Sequence, residues 1–331
     1  MYTTQGTNTN HGQIVMNGIG STGMASESGA VLNGKTGSIQ LVSGTGIKST
    51  SGSVTNQGSI NISQGEDSVG ISSGSNAVND KDATIQITGA NSTGISVEEN
   101  ATAVNRGTIT LTSTQNSKEN YGMISAGGER AQIDNDGIIN LNGYDYAASK
   151  EVGYGMSIGD GRANNNNTIN INRMYGYGMA STEGTLTNNG TINLTNGGYG
   201  IMGESGESFN NKDATITITG TPNMQNSYGM SMQDGTAKNF GQIDVTGGSV
   251  NSETYGISVN GGNGLNHGLI NMHSDNAFGL FDEGDGEITN VAGGTINLYG
   301  NNSVGMQTTS GKAENFGTIN IGVDNGTGAI V

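Results

Sequence analysis

The side chains best suited to chemistry in this chain are carboxylates: 28 Asp and Glu stand against 12 Lys and Arg, with 3 His and no Cys in 331 residues. Asp160 and Glu183 occupy equivalent places in the sequence pattern. Stacked on adjacent coils, two such carboxylates would lie about 5 Å apart, the separation retaining glycosidases use for an acid and a nucleophile. In-register stacking makes pairs of this kind automatic, so they are a weak sign of catalysis. His11 and His267 share an Asn-His-Gly context, and His273 follows an apolar run. None has a neighbour at the spacing of a triad or a metal site. No Gly-rich phosphate loop with Lys and Ser or Thr is expected, and the loose matches that 59 glycines produce belong to turns. The expectation is a protein that is not an enzyme, with a polysaccharide-degrading β-helix enzyme as the alternative.

A second chemical candidate is the acidic run Asp282, Glu283, Asp285 and Glu287. Calcium takes carboxylate and carbonyl oxygens, so this run is the candidate for a calcium site. It is neither an EF-hand loop nor a glycine-rich nonapeptide repeat. Otherwise no cofactor is expected. The net charge of −16 argues against a nucleic-acid partner, which would call for a basic stripe. The longest apolar runs fall short of the 18 residues of a membrane-spanning helix.

What must position these residues is a repeat. An Ile recurs at 14, 39, 60, 85, 109, 139, 169, 192, 216, 243, 270, 296 and 319, at intervals of 21 to 30 residues. A Gly before an apolar residue follows each time, from Gly23 to Gly328, and an Asn such as Asn56, Asn105 or Asn239 follows that. From Asn to the next Ile is four or six residues, never five. A two-residue insert preserves strand parity, whereas one residue would turn every following side chain to the other face. The Ile-to-Gly interval varies from 7 to 16, so one turn is free to carry loops. Within each unit apolar residues alternate with period two, as in Ile169-Asn-Ile171, which reads as short strands. Glycine, costly in helices, is everywhere. The fold expected is all-β: a right-handed parallel β-helix of about 13 coils, three short strands per coil, forming one segment over 1–331. This resolves a composition of only 31% hydrophobic residues, because a thin solenoid needs few inward side chains per strand.

The coil positions can be read singly. The residue after the Gly (Met24, Ile47, Met123, Met230) is an inward column. The Gly is expected to supply a backbone conformation closed to L-residues or a close approach at a corner. The Asn column is expected to form a hydrogen-bonded ladder. The residue before the Gly is aromatic in seven successive coils: Tyr121, Tyr154, Tyr177, Tyr199, Tyr228, Tyr255 and Phe278. Parity places it on the face of the buried Met, which predicts a structural aromatic ladder; an exposed rail for sugar rings is the alternative. Side loops near 112–120, 142–153, 219–227 and 246–254 supply the candidate binding residues Lys118, Glu119, Tyr144, Tyr146, Lys150, Pro222 and Asn223.

The run Gly294-Thr-Ile-Asn-Leu-Tyr-Gly-Asn-Asn-Ser-Val-Gly-Met306 and copies such as Gly190-Thr-Ile-Asn-Leu194 and Ser227-Tyr-Gly-Met230 resemble the passenger repeats of large autotransporter adhesins of fusobacteria and their relatives. The resemblance covers essentially the whole chain. It implies a right-handed parallel β-helix, export by a type V route and display on the bacterial outer membrane. It also implies attachment to other bacteria, host glycans or host protein receptors, and it supplies no catalytic residues. The outer-membrane β-barrel translocator of such proteins is not in this sequence, so the chain reads as a segment of a longer passenger. An inert spacer rod is the remaining alternative.

Overall fold

Ile39, Ile60 and Ile85 pair directly with one another across successive parallel strands, and Leu41 and Ile62 repeat the pattern two residues on. The computed structural model describes residues 1–114, 117–144, 151–220, 226–247, 252–322 and 325–330. Among them there is no helix. The chain is an all-β, right-handed parallel β-solenoid of about 12 turns with three strands per coil. The thirteen Ile anchors bound twelve complete turns.

The chain divides into two compact units, Met1–Met174 and Tyr175–Val331. Each contains the same three parallel sheets. In the first unit the glycine sheet runs Tyr2–Thr3, Ser21–Ser26, Gly44–Ser49, Val69–Ser73, Thr93–Val97, Glu119–Ser125, Val152–Ile158. In the second it runs from Tyr175–Ser181 through Gly198–Gly203, Ser227–Met232, Thr254–Val259, Ala277–Asp282 and Val304–Thr308 to Thr327–Ile330. A second sheet carries the Asn anchors, as in Val54–Asn56 and Thr236–Asn239, and a third the Ile anchors, as in Thr108–Thr112 and Gln242–Thr246. Every strand is parallel to the one a full coil away, so crossovers are built from the other two sides of the coil.

The lumen is filled by Ile and Leu from the third sheet, Met and Ile from the first, and small residues such as Ala77, Ala103 and Ala237 from the second. Ile60, Ile85, Ile109 and Ile243 are at most 1% exposed. Full burial of such a side chain contributes about 1.5–3 kcal/mol, repeated in every coil.

The Gly anchors have a role different from a special backbone conformation. Gly46, Gly70, Gly94 and Gly200 carry no left-handed φ and lie within strands, not at corners. What they provide is close approach. A Cβ on Gly200 would stand 2.3 Å from Cγ2 of Ile216 in the same coil and 2.5 Å from the carbonyl oxygen of Gly229 in the next.

The Asn anchors form the expected ladders. In the first unit Asn10, Asn33, Asn56, Asn79, Asn105 and Asn135 each donate Nδ2 to the Oδ1 of the next Asn at 2.8–2.9 Å, ending on Asn165. In the second, Asn188, Asn210, Asn239, Asn266 and Asn290 do the same, ending on Asn315. A buried polar group left without a partner costs about 1–3 kcal/mol, and here each amide is satisfied by its copy. Among the described residues, Thr254 Oγ1 is the one buried side-chain oxygen or nitrogen without a hydrogen bond.

Candidate functional site

The strand Glu119–Ser125 alternates inward and outward until Gly122, where Gly122 and Met123 both turn inward and the parity flips. The neighbouring strand pairs Tyr121 with Tyr154 and Met123 with Met156, with no bridge at the glycine between them. Tyr121 therefore stands on the outer face while Met123 fills the lumen, which corrects the expectation that both share one face. The sequence pattern counts residues, and counting fails where two consecutive residues face the same way.

On that outer face the rings stack. Tyr121 and Tyr154 lie 4.8 Å apart at 8°. In the second unit Tyr177, Tyr199, Tyr228, Tyr255 and Phe278 continue at centroid separations of 4.9, 4.5, 4.7 and 5.2 Å, all within 14° of parallel. Tyr175 packs edge-on against Tyr177 and Tyr199, and Phe281 tilts against Tyr255 and Phe278. The ring faces are spent on one another, and Tyr175 and Tyr255 are buried. This arrangement offers little flat surface along its length for a sugar ring to lie on. It offers a strip that is apolar in body and polar at the rim.

Carboxylates border the strip. Tyr121 donates its hydroxyl to Glu119 Oε2 at 2.8 Å, and Tyr255 donates to Glu253. Burial, followed by the Glu119 interaction, raises the Tyr121 phenol above its ordinary 10.0. Burial and the Glu253 hydrogen bond do the same for Tyr255, and burial leads the rise at Tyr175, Tyr199 and Tyr228. These phenols stay neutral at physiological pH, and those of Tyr121, Tyr175 and Tyr255 donate hydrogen bonds.

The base of the loop after Ile139 is a buried polar cluster. Glu151 is fully buried. Its Oε1 accepts from Asn120 Nδ2 at 2.8 Å and its Oε2 from the Tyr144 backbone N–H at 3.0 Å, which clamps the two ends of the loop together. Asn120 Nδ2 also reaches Ser113 and Ser117 Oγ, and Asn120 Oδ1 accepts the Ser92 N–H. Tyr144 itself is 52% exposed. Lys118 is exposed and its backbone N–H is held by Asn91 Oδ1. Tyr146, Lys150, Pro222 and Asn223 lie outside the described residues. Sequence reasoning missed Glu151; the only signal was a carboxylate one residue before the strand Val152–Ile158 that closes the loop.

The four acidic residues of the calcium candidate are not brought together. Asp282 points into the core, fully buried, and accepts from Thr308 Oγ1 at 2.9 Å and the Gly284 N–H at 3.1 Å. Glu283 and Asp285 are exposed on the outside. Glu287 pairs with Lys312 at 3.3 Å. Among the described residues no group of three or more His, Asp or Glu is placed to hold a metal ion. Asp160 accepts the Gly128 backbone N–H, whereas Glu183 is exposed. Two histidines act as ring partners: His267 stacks on Phe240, and His273 on Tyr299, both at 4.5 Å. Contrary to the expectation of no such loop, the run Gly29-Ala-Val-Leu-Asn-Gly-Lys-Thr36 fits the phosphate-loop pattern. In the structure it holds the strand Val31–Asn33 and a tight turn closed by Gly37 N–H to Gly34 O, with no helix after it. It is a solenoid corner.

These features define a class, a right-handed parallel β-solenoid with an outward aromatic strip and side loops. Residues 62–200 match the family described as BigA third pectate lyase-like domain, and that stretch is similar to it. No curated protein and no solved structure gives a significant match.

Proposed function

We propose that this chain is a segment of a cell-surface adhesin passenger that presents attachment surfaces to other bacteria or to host glycans or protein receptors, without catalysis. The observation that carries the reading is the match of residues 62–200 to a BigA domain, BigA being an autotransporter-type adhesin. The likeness of the Gly-Thr-Ile-Asn-Leu repeats to autotransporter passengers points the same way. On this reading the protein is displayed on the outer membrane or secreted, and in the parent it is joined to a β-barrel translocator. A chain without Cys suits export, because no thiol has to be managed on the way. The Tyr strip and the clamped loop base give the chain surfaces of the kind recognition uses, since Tyr is enriched at binding hot spots.

A second reading follows from the same family description, which is pectate lyase-like. Under it the chain processes polysaccharide, with Asp160 or Glu183 as the first residues to examine. Binding to immobilised polysaccharide and release of reducing ends or unsaturated products, measured on one preparation, separate the two. Binding without turnover is the expected outcome. Turnover abolished by Asp160→Asn or Glu183→Gln overturns the proposal.

A further inference from the structure

The two-residue inserts between Asn and Ile have a three-dimensional consequence in the second unit. The coil of Asn210 carries the long version, Asn210-Asn-Lys-Asp-Ala-Thr-Ile216, and so does that of Asn290, Asn290-Val-Ala-Gly-Gly-Thr-Ile296. The two coils between them carry the short version, Asn239-Phe-Gly-Gln-Ile243 and Asn266-His-Gly-Leu-Ile270. In-register pairing sets Asn210 beside Asn239, Asn239 beside Asn266 and Asn266 beside Asn290. The extra residues Lys212-Asp213 and Ala292-Gly293 therefore stand as two walls, and the short turns are the floor between them. Three coil steps of about 4.8 Å put the walls about 14 Å apart.

The result is a groove of about 450 Å³, lined by Lys212, Asp213, Phe240, Gln242, Leu269 and Thr295 among others. That volume lies within the range of small-molecule sites. Phe240 is 39% exposed, and one face of its ring is covered by the stacked His267 ring. Burial and the nearby Lys238 lower the His267 pKa from 6.5, so the backing ring is neutral at physiological pH. Gln242 is held by a 2.6 Å hydrogen bond from its Nε2 to Asp244, which presets the amide before any ligand arrives. Lys212 and Asp213 are exposed and, among the described residues, enter no ion pair. The lining has one cation and one anion, in a chain of net charge −16.

We propose that this groove binds a neutral saccharide of one or two pyranose units. A pyranose has an apolar C–H face and a rim of hydroxyls. The groove pairs an aromatic ring with an amide, a hydroxyl, one ammonium and one carboxylate, and its balanced charge gives a charged ligand no advantage. The floor of two coils, about 10 Å long, sets the length. The inference gives the adhesive reading a ligand class and rests on that reading for its purpose, not for whether the groove is occupied.

The experiment is saturation-transfer NMR on the full chain with a panel of neutral disaccharide methyl glycosides, their sialylated or sulfated counterparts, and an uncharged tetrapeptide. At least one neutral disaccharide is expected to bind with Kd of about 1 mM or tighter and to shift the His267 imidazole signals. Phe240→Ala is expected to weaken it at least about tenfold. Thr295→Arg, which fills the groove from the far wall and leaves Phe240 in place, is expected to abolish it. Absence of binding by every neutral disaccharide overturns the proposal, as does equal binding by the charged or peptide probes or indifference to both variants. Beads coated with the chain that attach to cells while no saccharide enters the groove contradict the groove alone. Saccharide binding by a chain whose beads never attach contradicts the adhesive reading alone.

Discussion

Gly229 and Ile243 face each other across the lumen of one coil, and the side chain that glycine lacks is the space occupied by the isoleucine Cγ2 methyl. A Cβ on Gly229 would sit 2.4 Å from that methyl and 2.5 Å from the carbonyl oxygen of Gly256 in the next coil. Gly94 and Ile109, Gly178 and Ile192, and Gly279 and Ile296 repeat the relationship at 2.5 Å. The two strongest anchors of the sequence repeat are therefore one steric pair.

Gly229→Ala is expected to destabilise the second unit by about 1–3 kcal/mol, the usual cost of overpacking. Adding Ile243→Ala removes the methyl clash and leaves the carbonyl clash. The double variant should fall short of additivity without returning to the stability of Ile243→Ala alone. Chemical denaturation of the four chains of this cycle checks it; strict additivity would mean that the pair is not coupled.

Asn239 stands in mid-ladder, accepting from Asn210 and donating to Asn266. Asn239→Leu removes both bonds. Asn210 Nδ2 keeps the Gln242 carbonyl at 3.2 Å, and Asn266 Oδ1 keeps the Gly268 N–H at 3.3 Å, so the neighbours are weakened and not orphaned. A loss of about 1–3 kcal/mol is expected. Hydrogen exchange should quicken first at the coils of Asn210, Asn239 and Asn266; uniform loss of protection along the chain would contradict a local role.

The stacked tyrosines make stability depend on alkali. Their folded pKa values are raised above the ordinary 10.0, so above that pH the folded state holds protons the unfolded chain has lost. Their stabilising contribution is complete below pH 10 and declines as the pH climbs past it. Ultraviolet titration should show these phenols ionising late, together with unfolding. Ionisation of all tyrosines near pH 10 in a folded chain would contradict the stack.

Deleting Lys212 and Asp213 together converts a long turn into the short one found at Asn239 and Asn266. The fold should survive with a small change in stability, and the groove should open on that side. Deleting Lys212 alone shifts the following strand by one residue and directs Ile216 outward, so the coil should fail. Circular dichroism and thermal unfolding distinguish the two; equal tolerance would refute the parity argument.

Much of the coil was legible because its constraints are local. The Ile and Asn columns fall in register as the four-or-six spacing requires, since inserts of two residues keep the faces intact. The aromatic column was placed on the wrong face because the flip at Gly122-Met123 is a backbone event that leaves no mark in the spacing. For the Gly anchor, close approach was legible as one of two roles but its partner was not: an Ile some 14 residues on, as in Gly229 and Ile243, is close only once the coil closes. Glu151 was hidden because a lone carboxylate beside Lys150 reads as surface, whereas its two hydrogen-bond donors come from residues 7 and 31 positions away. The groove was written in the long-short-short-long order of the turns but appears only when the coils are stacked.

Attachment tests the central claim most directly. Beads coated with the full chain, exposed to host cells and to partner bacteria under gentle flow, should be retained above beads coated with an unrelated acidic protein. The same preparation should release no product from polysaccharide. Retention no greater than the control on every surface, together with measurable polysaccharide cleavage, would contradict the account.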